Sequence, residues 1–259
     1  MNGTPVVSDR ITPGQFLAGV RVIARRELAA YFDSSIAYVY TAAFVILTNS
    51  IFMNEFFLTG TVDMTGFFEL LPLLLCFFLP AITMRLWAEE RRQRTIELLL
   101  TLPITSLQAV LAKYLAALGL FALFLAGSLP IVVMLVVLGD PDLGLILSGY
   151  IGLVCFGALF LALGSLLSAL SADQIVAFVL STVAGFLLVL TGNVAVVEVL
   201  DGLFPGLGLG SFLFESISVM PHYDAFVRGV VELDSVVYFG LLSALFLWAT
   251  ALLLERNRA

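Results

Sequence analysis

The chain has 259 residues, 61% hydrophobic and only 12% charged, with mean hydropathy +1.10 and a formal net charge of −7. A water-soluble domain of this size draws about a quarter of its residues from the charged types, so the composition excludes one and requires a chain dissolved in lipid. Its apolar runs are continuous rather than alternating, which calls for membrane-spanning helices and excludes a closed barrel.

Residues 1–12 are polar and are expected to be disordered, and residues 13–259 read as a single transmembrane domain. From Pro13 to Tyr31 the spacing predicts an amphipathic helix. Phe16, Leu17, Val20, Ile23, Ala24, Leu28 and Tyr31 share one arc, and Arg21, Arg25, Arg26 and Glu27 share the other. This pattern suits a helix lying on an anionic membrane surface; the alternative is a helix packed against the protein's own loops. The first 35 residues are too polar for a secretory signal peptide, so the first membrane helix is expected to drive insertion.

Six spans are predicted, at about 36–57, 67–87, 107–138, 143–170, 175–197 and 235–254. Pro72 and Pro80 lie within the second and Pro130 within the third, where each is a candidate kink. Gln108 and Lys113, near the start of the third, are expected at the membrane interface. The fourth contains the small-residue pairs Ser148/Gly152, Ala158/Ala162 and Gly164/Ser168, which permit close helix contact. Thr191-Gly192-Asn193 predicts a polar, broken end to the fifth span. The outer region 194–234 is too apolar for a free loop and too interrupted to span, so re-entrant or surface helices are expected between spans 5 and 6. The fold class is therefore all-α and polytopic. Cys76 and Cys155 sit inside apolar runs and read as buried hydrophobes, with no disulfide or metal framework.

The stretch WAEERRQRTIELLLTLP, Trp87 to Pro103, breaks this apolar pattern. Read as a helix, it aligns Ile96, Leu99 and Leu100 on one face and sets Glu89/Arg92, Glu90/Arg94 and Arg94/Glu97 at pair spacings. The same residues fit an ordinary positive-inside loop, but the added acidic pair and apolar face favour a docking surface for a soluble partner. Lys and Arg placement sets the orientation: with the N-terminus inside, eleven basic residues fall on the cytoplasmic side and only Arg228 on the other. Both termini and residues 87–103 are then cytoplasmic, and the acidic outer face accounts for the negative net charge.

No carboxylate sits mid-span; Glu55 and Glu69 lie near the outer ends of spans 1 and 2, which disfavours an autonomous ion-coupled carrier. There is no GxxxxGK[ST] phosphate loop, no HExxH and no GxSxG. His222, the lone histidine, reads as structural. The chain itself is expected to be no enzyme and to bind no cofactor. Its energy source would be a separate ATPase acting mechanically through the charged helix, and the alternative is a non-transporting scaffold subunit of an envelope complex.

The segment EERRQRTIELLLTLPITSLQAVLAKYLA resembles the stretch after the second span of ABC-2 family permeases, closest in look to the gliding-motility-associated type. RRELAAYFDSSIAYVY resembles the family's elbow helix, and MPHYDAFVRGVVELDSVVYFGLLSALFLWAT its last outer segment and final span. The resemblance implies the permease subunit of an ATP-driven transporter in a bacterial cytoplasmic (inner) membrane. A partner ATPase subunit would hold ATP and Mg. A second permease copy would complete the transmembrane unit, and a membrane-anchored protein with a large outer domain often accompanies that branch; membrane lipid surrounds it, and no nucleic acid is implied. Glu89, Glu90, Arg91, Arg92, Arg94, Thr95, Glu97 and Leu99 would form the coupling helix, and Arg21, Arg25 and Arg26 would belong to the elbow helix at the membrane surface. The resemblance does not identify the substrate.

Overall fold

A computed structural model describes residues 13–93, 105–203, 210, 212, 214 and 218–256. Every regular element among them is a helix: α1 (Pro13–Asp33), α2 (Ser35–Thr59), α3 (Thr65–Thr83), α4 (Ala88–Arg92), α5 (Ser106–Ala126), α6 (Leu129–Leu138), α7 (Leu143–Leu170), α8 (Gln174–Leu190), α9 (Val194–Leu203), α10 (Met220–Val227) and α11 (Leu233–Arg256).

Five stretches are long and apolar enough to cross a membrane: Ala37–Thr59, Thr65–Arg92, Ser106–Leu138, Leu143–Leu170 and Leu233–Arg256. The fifth expected span is represented by α8, a 17-residue apolar helix. At 1.5 Å per residue it is about 25 Å long, near the lower limit for a bilayer core of about 30 Å. It ends at Leu190, short of the predicted 197, and the break falls at the Thr191-Gly192 pair that the sequence marked as polar. The Thr191 hydroxyl donates to Leu188 O, and a side chain on Gly192 would run into Met220 and Ser218. The outer region holds the two short helices α9 and α10 among its described residues.

The bundle is built around α7, whose glycines form notches for neighbouring side chains. Phe68 of α3 enters at Gly149, Phe226 of α10 at Gly152, Phe121 of α5 at Gly157 and Thr83 of α3 at Gly164. In lipid, apolar side chains gain little by choosing protein over acyl chains, so close fit is the main attraction between helices. The small residues of span 4 thus act within the chain. At the outer end α10 is wedged in by two hydrogen bonds: Tyr223 Oη donates to Phe68 O (2.8 Å) and Ser148 Oγ to Phe226 O (2.7 Å). His222 stacks on Tyr238 beside the Ser235 hydroxyl, a packing role.

Of the prolines flagged as kinks, Pro72 and Pro80 lie within α3 without ending it, whereas Pro130 accompanies a real break. Proline cannot donate to the previous turn. The chain turns at Gly127-Ser128, and the exposed Gly127 carbonyl accepts from Asn49 Nδ2 of α2 at 3.2 Å. The break is thereby satisfied inside the bundle, as a membrane interior demands.

A charged junction at the arginine-rich end

Span 3, from Ser106 to Leu138, is 33 residues long. That is about 50 Å of helix against a core of about 30 Å, so its first turns extend beyond the hydrocarbon. It starts at a capping box: Thr105 Oγ1 accepts from Gln108 N, and Gln108 Oε1 accepts from Thr105 N. Helix α1 packs lengthwise along this start. Gln108 Nε2 donates to Phe16 O, Gly19 lies against Gln108, and Leu28 fills the space over Gly119. The apolar arc of α1 therefore meets α5. Arg21, Arg25 and Arg26 point away and are exposed.

This packing adds to one expectation and corrects another. Gln108 and Lys113 carry no expected partner in the sequence; α1 covers both, and Lys113 is only 4% exposed. Glu27 was assigned to the polar arc with the arginines; it instead turns inward to reach Lys113.

Lys113 is the only lysine in the chain, and it is the hub of the junction. Its Nζ lies 2.8 Å from Glu90 Oε1 and 3.3 Å from Glu27 Oε2, and Arg26 closes on Glu27 at 2.9 Å. The ammonium also sits 5.2 Å from the centre of the Trp87 ring, within cation–π range. A charge taken out of water needs such partners, since an unpaired one costs several kcal/mol. Burial pushes the Glu27 carboxyl up, but Lys113 and Arg26 together outweigh it and hold the group below its ordinary value of 4.5. The fixed position of Glu90 relative to α5 and α1 follows from these contacts.

The opening of the charged stretch is held from a second side. Trp87 is fully buried, and its indole N–H donates to Ser165 Oγ at 3.0 Å. Ser168 Oγ accepts from the Trp87 and Ala88 backbone amides at 3.1 and 3.3 Å and donates to Met84 O at 3.2 Å. The predicted second span ran unbroken to Trp87. The helix ends earlier, at Thr83, and a turn over 84–87 delivers Trp87 into α7. The five-residue α4 then carries Glu89, Glu90, Arg91 and Arg92.

Of the expected pairs within the charged stretch, Glu89 and Arg92 form no ion pair among the described residues; Glu89 accepts from Gln93 Nε2 at 3.3 Å. Arg94, Thr95, Glu97 and Leu99, and the apolar face at Ile96, Leu99 and Leu100, lie outside the described residues. The structure brings Glu90 together with Lys113, Glu27, Trp87, Ser165 and Ser168, which sequence reasoning did not connect. Arg92 is exposed and Arg91 half-buried, so α4 faces the protein with Glu90 and water with Arg92. Among the described residues no group of His, Cys, Asp and Glu side chains is arranged to hold a metal ion. Chemically, the junction can transmit displacement: three segments distant in sequence share one buried charge.

The junction also makes a pH prediction. A carboxyl held low by its partners stabilises the fold fully above 4.5, and that contribution is lost as pH falls through its depressed folded value. Acidification below 4.5 should therefore loosen α1 from α5. The check is proteolytic cleavage near 33–35 as a function of pH, with Glu27→Gln expected to flatten the profile. Equal acid sensitivity in both proteins would remove Glu27 from the account.

No curated protein matches the chain. A family model, described as ABC-2 family transporter protein, matches residues 33–220, which span α2 to the start of α10. That is well over half of the chain, and it contains the first span, the Trp87 plug, the charged stretch, Lys113 and the α7 notches. This chain belongs to the ABC-2 family of transporter proteins.

Proposed function

We propose that this permease acts as the transmembrane subunit of an ATP-driven transporter and feels a separate ATPase through residues 87–103. The observation that carries the reading is the Lys113 junction, which links the first turn of the charged stretch to both α1 and span 3. A partner that pushes on α4 moves Glu90, and Glu90 cannot move without Lys113 and Glu27. The hold of Ser165 and Ser168 on Trp87 passes the same push to α7, around which the bundle is built. ATP and Mg belong to the partner, and the chain itself carries out no chemistry.

In this reading α8 completes a six-span bundle, both termini and α4 face the cytoplasm, and Arg21, Arg25 and Arg26 rest on the membrane surface. A second permease copy completes the assembly, in the inner membrane of a bacterium. Residues 94, 95, 97 and 99 continue the docking surface begun by Arg91 and Arg92. An accompanying membrane-anchored protein with a large outer domain fits the acidic face opposite.

The two arginines of α4 give the test, because neither forms an ion pair among the described residues. Arg91→Glu combined with Arg92→Glu should leave the melting temperature of the purified chain unchanged. The same variant should lose the co-purifying ATPase and the ATP hydrolysis measured with it. Retention of both would sink docking through α4.

A further inference from the structure

A cavity of about 340 Å³ opens beside the junction, enclosed by α1, the start of α2, the end of α3, α4 and α5. It is large enough for a small polar group. Its level is set by its walls. Ala37 and Tyr40 belong to the first turns of span 1 and Ala81 and Ile82 to the last of span 2, so the cavity sits where the hydrocarbon ends.

The charges lining it do not cancel pairwise. Glu27 is matched by Arg26 and Lys113, and Glu90 by Lys113. Two opposite charges remain in the wall: Arg85, which makes no ion pair among the described residues and whose buried Nε has no acceptor there, and Glu89, which among the described residues accepts from the amide of Gln93 and forms no ion pair. They do not pair with each other. A buried donor without an acceptor costs about 1–3 kcal/mol, more when charged, so Arg85 is open to an acceptor from outside the chain.

The balance of charge selects the ligand. Among the described residues the charges left over in the wall are Arg85 and Glu89, so a purely anionic headgroup would leave Glu89 unmatched beside it. A simple cation would leave Arg85 unmatched. A phosphate joined by a short linker to a primary ammonium satisfies both: the phosphate accepts from Arg85, and the ammonium donates to Glu89. Tyr31 and Tyr40 add ring surface for the ammonium.

We propose that this cavity binds the headgroup of a zwitterionic aminophospholipid of the phosphatidylethanolamine class, in the leaflet on the arginine-rich side. The lipid source follows from the level of the cavity at the span ends. The proposal goes beyond ATP coupling and does not depend on it: a chain that docks no ATPase would still hold the lipid, and a chain that holds no lipid could still dock.

The full-length chain, stripped of lipid in detergent, is offered phosphatidylethanolamine or phosphatidylglycerol with the same acyl chains, and bound lipid is counted by native mass spectrometry. Phosphatidylethanolamine should be retained roughly tenfold better, the effect of one charge-assisted contact. Arg85→Gln should remove that advantage, and Glu89→Gln should reverse it in favour of phosphatidylglycerol. Phe57→Ala, exposed at the opposite end of α2, should change nothing. Equal retention of the two lipids by the unaltered chain overturns the proposal, as does an unchanged preference in both variants. Displacement of the lipid by soluble phosphoethanolamine at equal concentration overturns the lipid assignment.

Discussion

Lys113→Met is expected to lower the stability of the arginine-rich end by about 3–5 kcal/mol, the cost of removing one partner from a buried ion pair. For a chain of this size that corresponds to a melting shift on the order of 10 °C in detergent. The loss comes less from the lysine's own contacts than from what it leaves behind. Glu27 and Glu90 would remain half-buried between α1, α4 and α5 without the ammonium that both now share. Methionine fills nearly the same volume and keeps contact with the Trp87 ring, so cavity formation is small and the effect reports charge. The discriminating variant is the triple change Lys113→Met, Glu27→Gln and Glu90→Gln. Replacing all members of a buried charge set is often close to neutral, whereas breaking one pair is not. Melting of the triple variant should therefore return most of the way to the unaltered protein. A triple variant as unstable as Lys113→Met alone would show that packing, not charge, holds the junction. In the proposed mechanism the triple variant is also the more telling one for transport, because it restores stability while removing the link between α4 and α1. ATP hydrolysis should then continue without the coupled movement of substrate.

The spans were legible because lipid imposes a simple code: about 20 apolar residues in succession can do little except cross as a helix. The span predicted at 143–170 coincides with α7, and the break after span 5 was visible in Thr191-Gly192. What the pattern could not show is which residues meet across the bundle. Glu27 looked like part of the polar arc because helical periodicity sorts residues by type, and it has no term for a lysine on another helix 86 residues away. The signal was nonetheless present. A single lysine in the chain, near the start of an apolar run, needs a buried carboxylate or water, and Glu27 and Glu90 lie on the two segments that flank it. Trp87 is a similar case. In the sequence it marks only the end of span 2 and the start of the charged stretch, while on span 4 Ser168 reads as half of a small-residue pair and Ser165 carries no reading. Their hydroxyls had to be seen together with its indole and amide before the plug was evident.

The α7 notches yield the second large effect, and its sign separates two opposing contributions. Glycine to alanine within a helix gains up to about 1 kcal/mol from backbone entropy when the new methyl has room. At Gly240 on α11 nothing lies within 4 Å of the added carbon, so Gly240→Ala should leave melting unchanged or raise it slightly. At Gly157 the same carbon would press into the ring of Phe121, which is itself fully buried and cannot swing aside. Overpacking of a filled core costs about 1–3 kcal/mol, which exceeds the entropic gain, so Gly157→Ala should destabilise. Gly157→Leu should yield no folded protein, because it separates α5 from α7 along the line that carries the Lys113 junction. Shrinking the partner tests the cause: Gly157→Ala with Phe121→Leu should recover stability relative to Gly157→Ala, although Phe121→Leu alone loses packing. No recovery in that pair would mean that Gly157 matters for a reason other than its fit to Phe121. If the recovery appears, the distance between spans 3 and 4 is set by one ring in one notch. That same distance fixes where Lys113 can stand between the coupling stretch and the elbow.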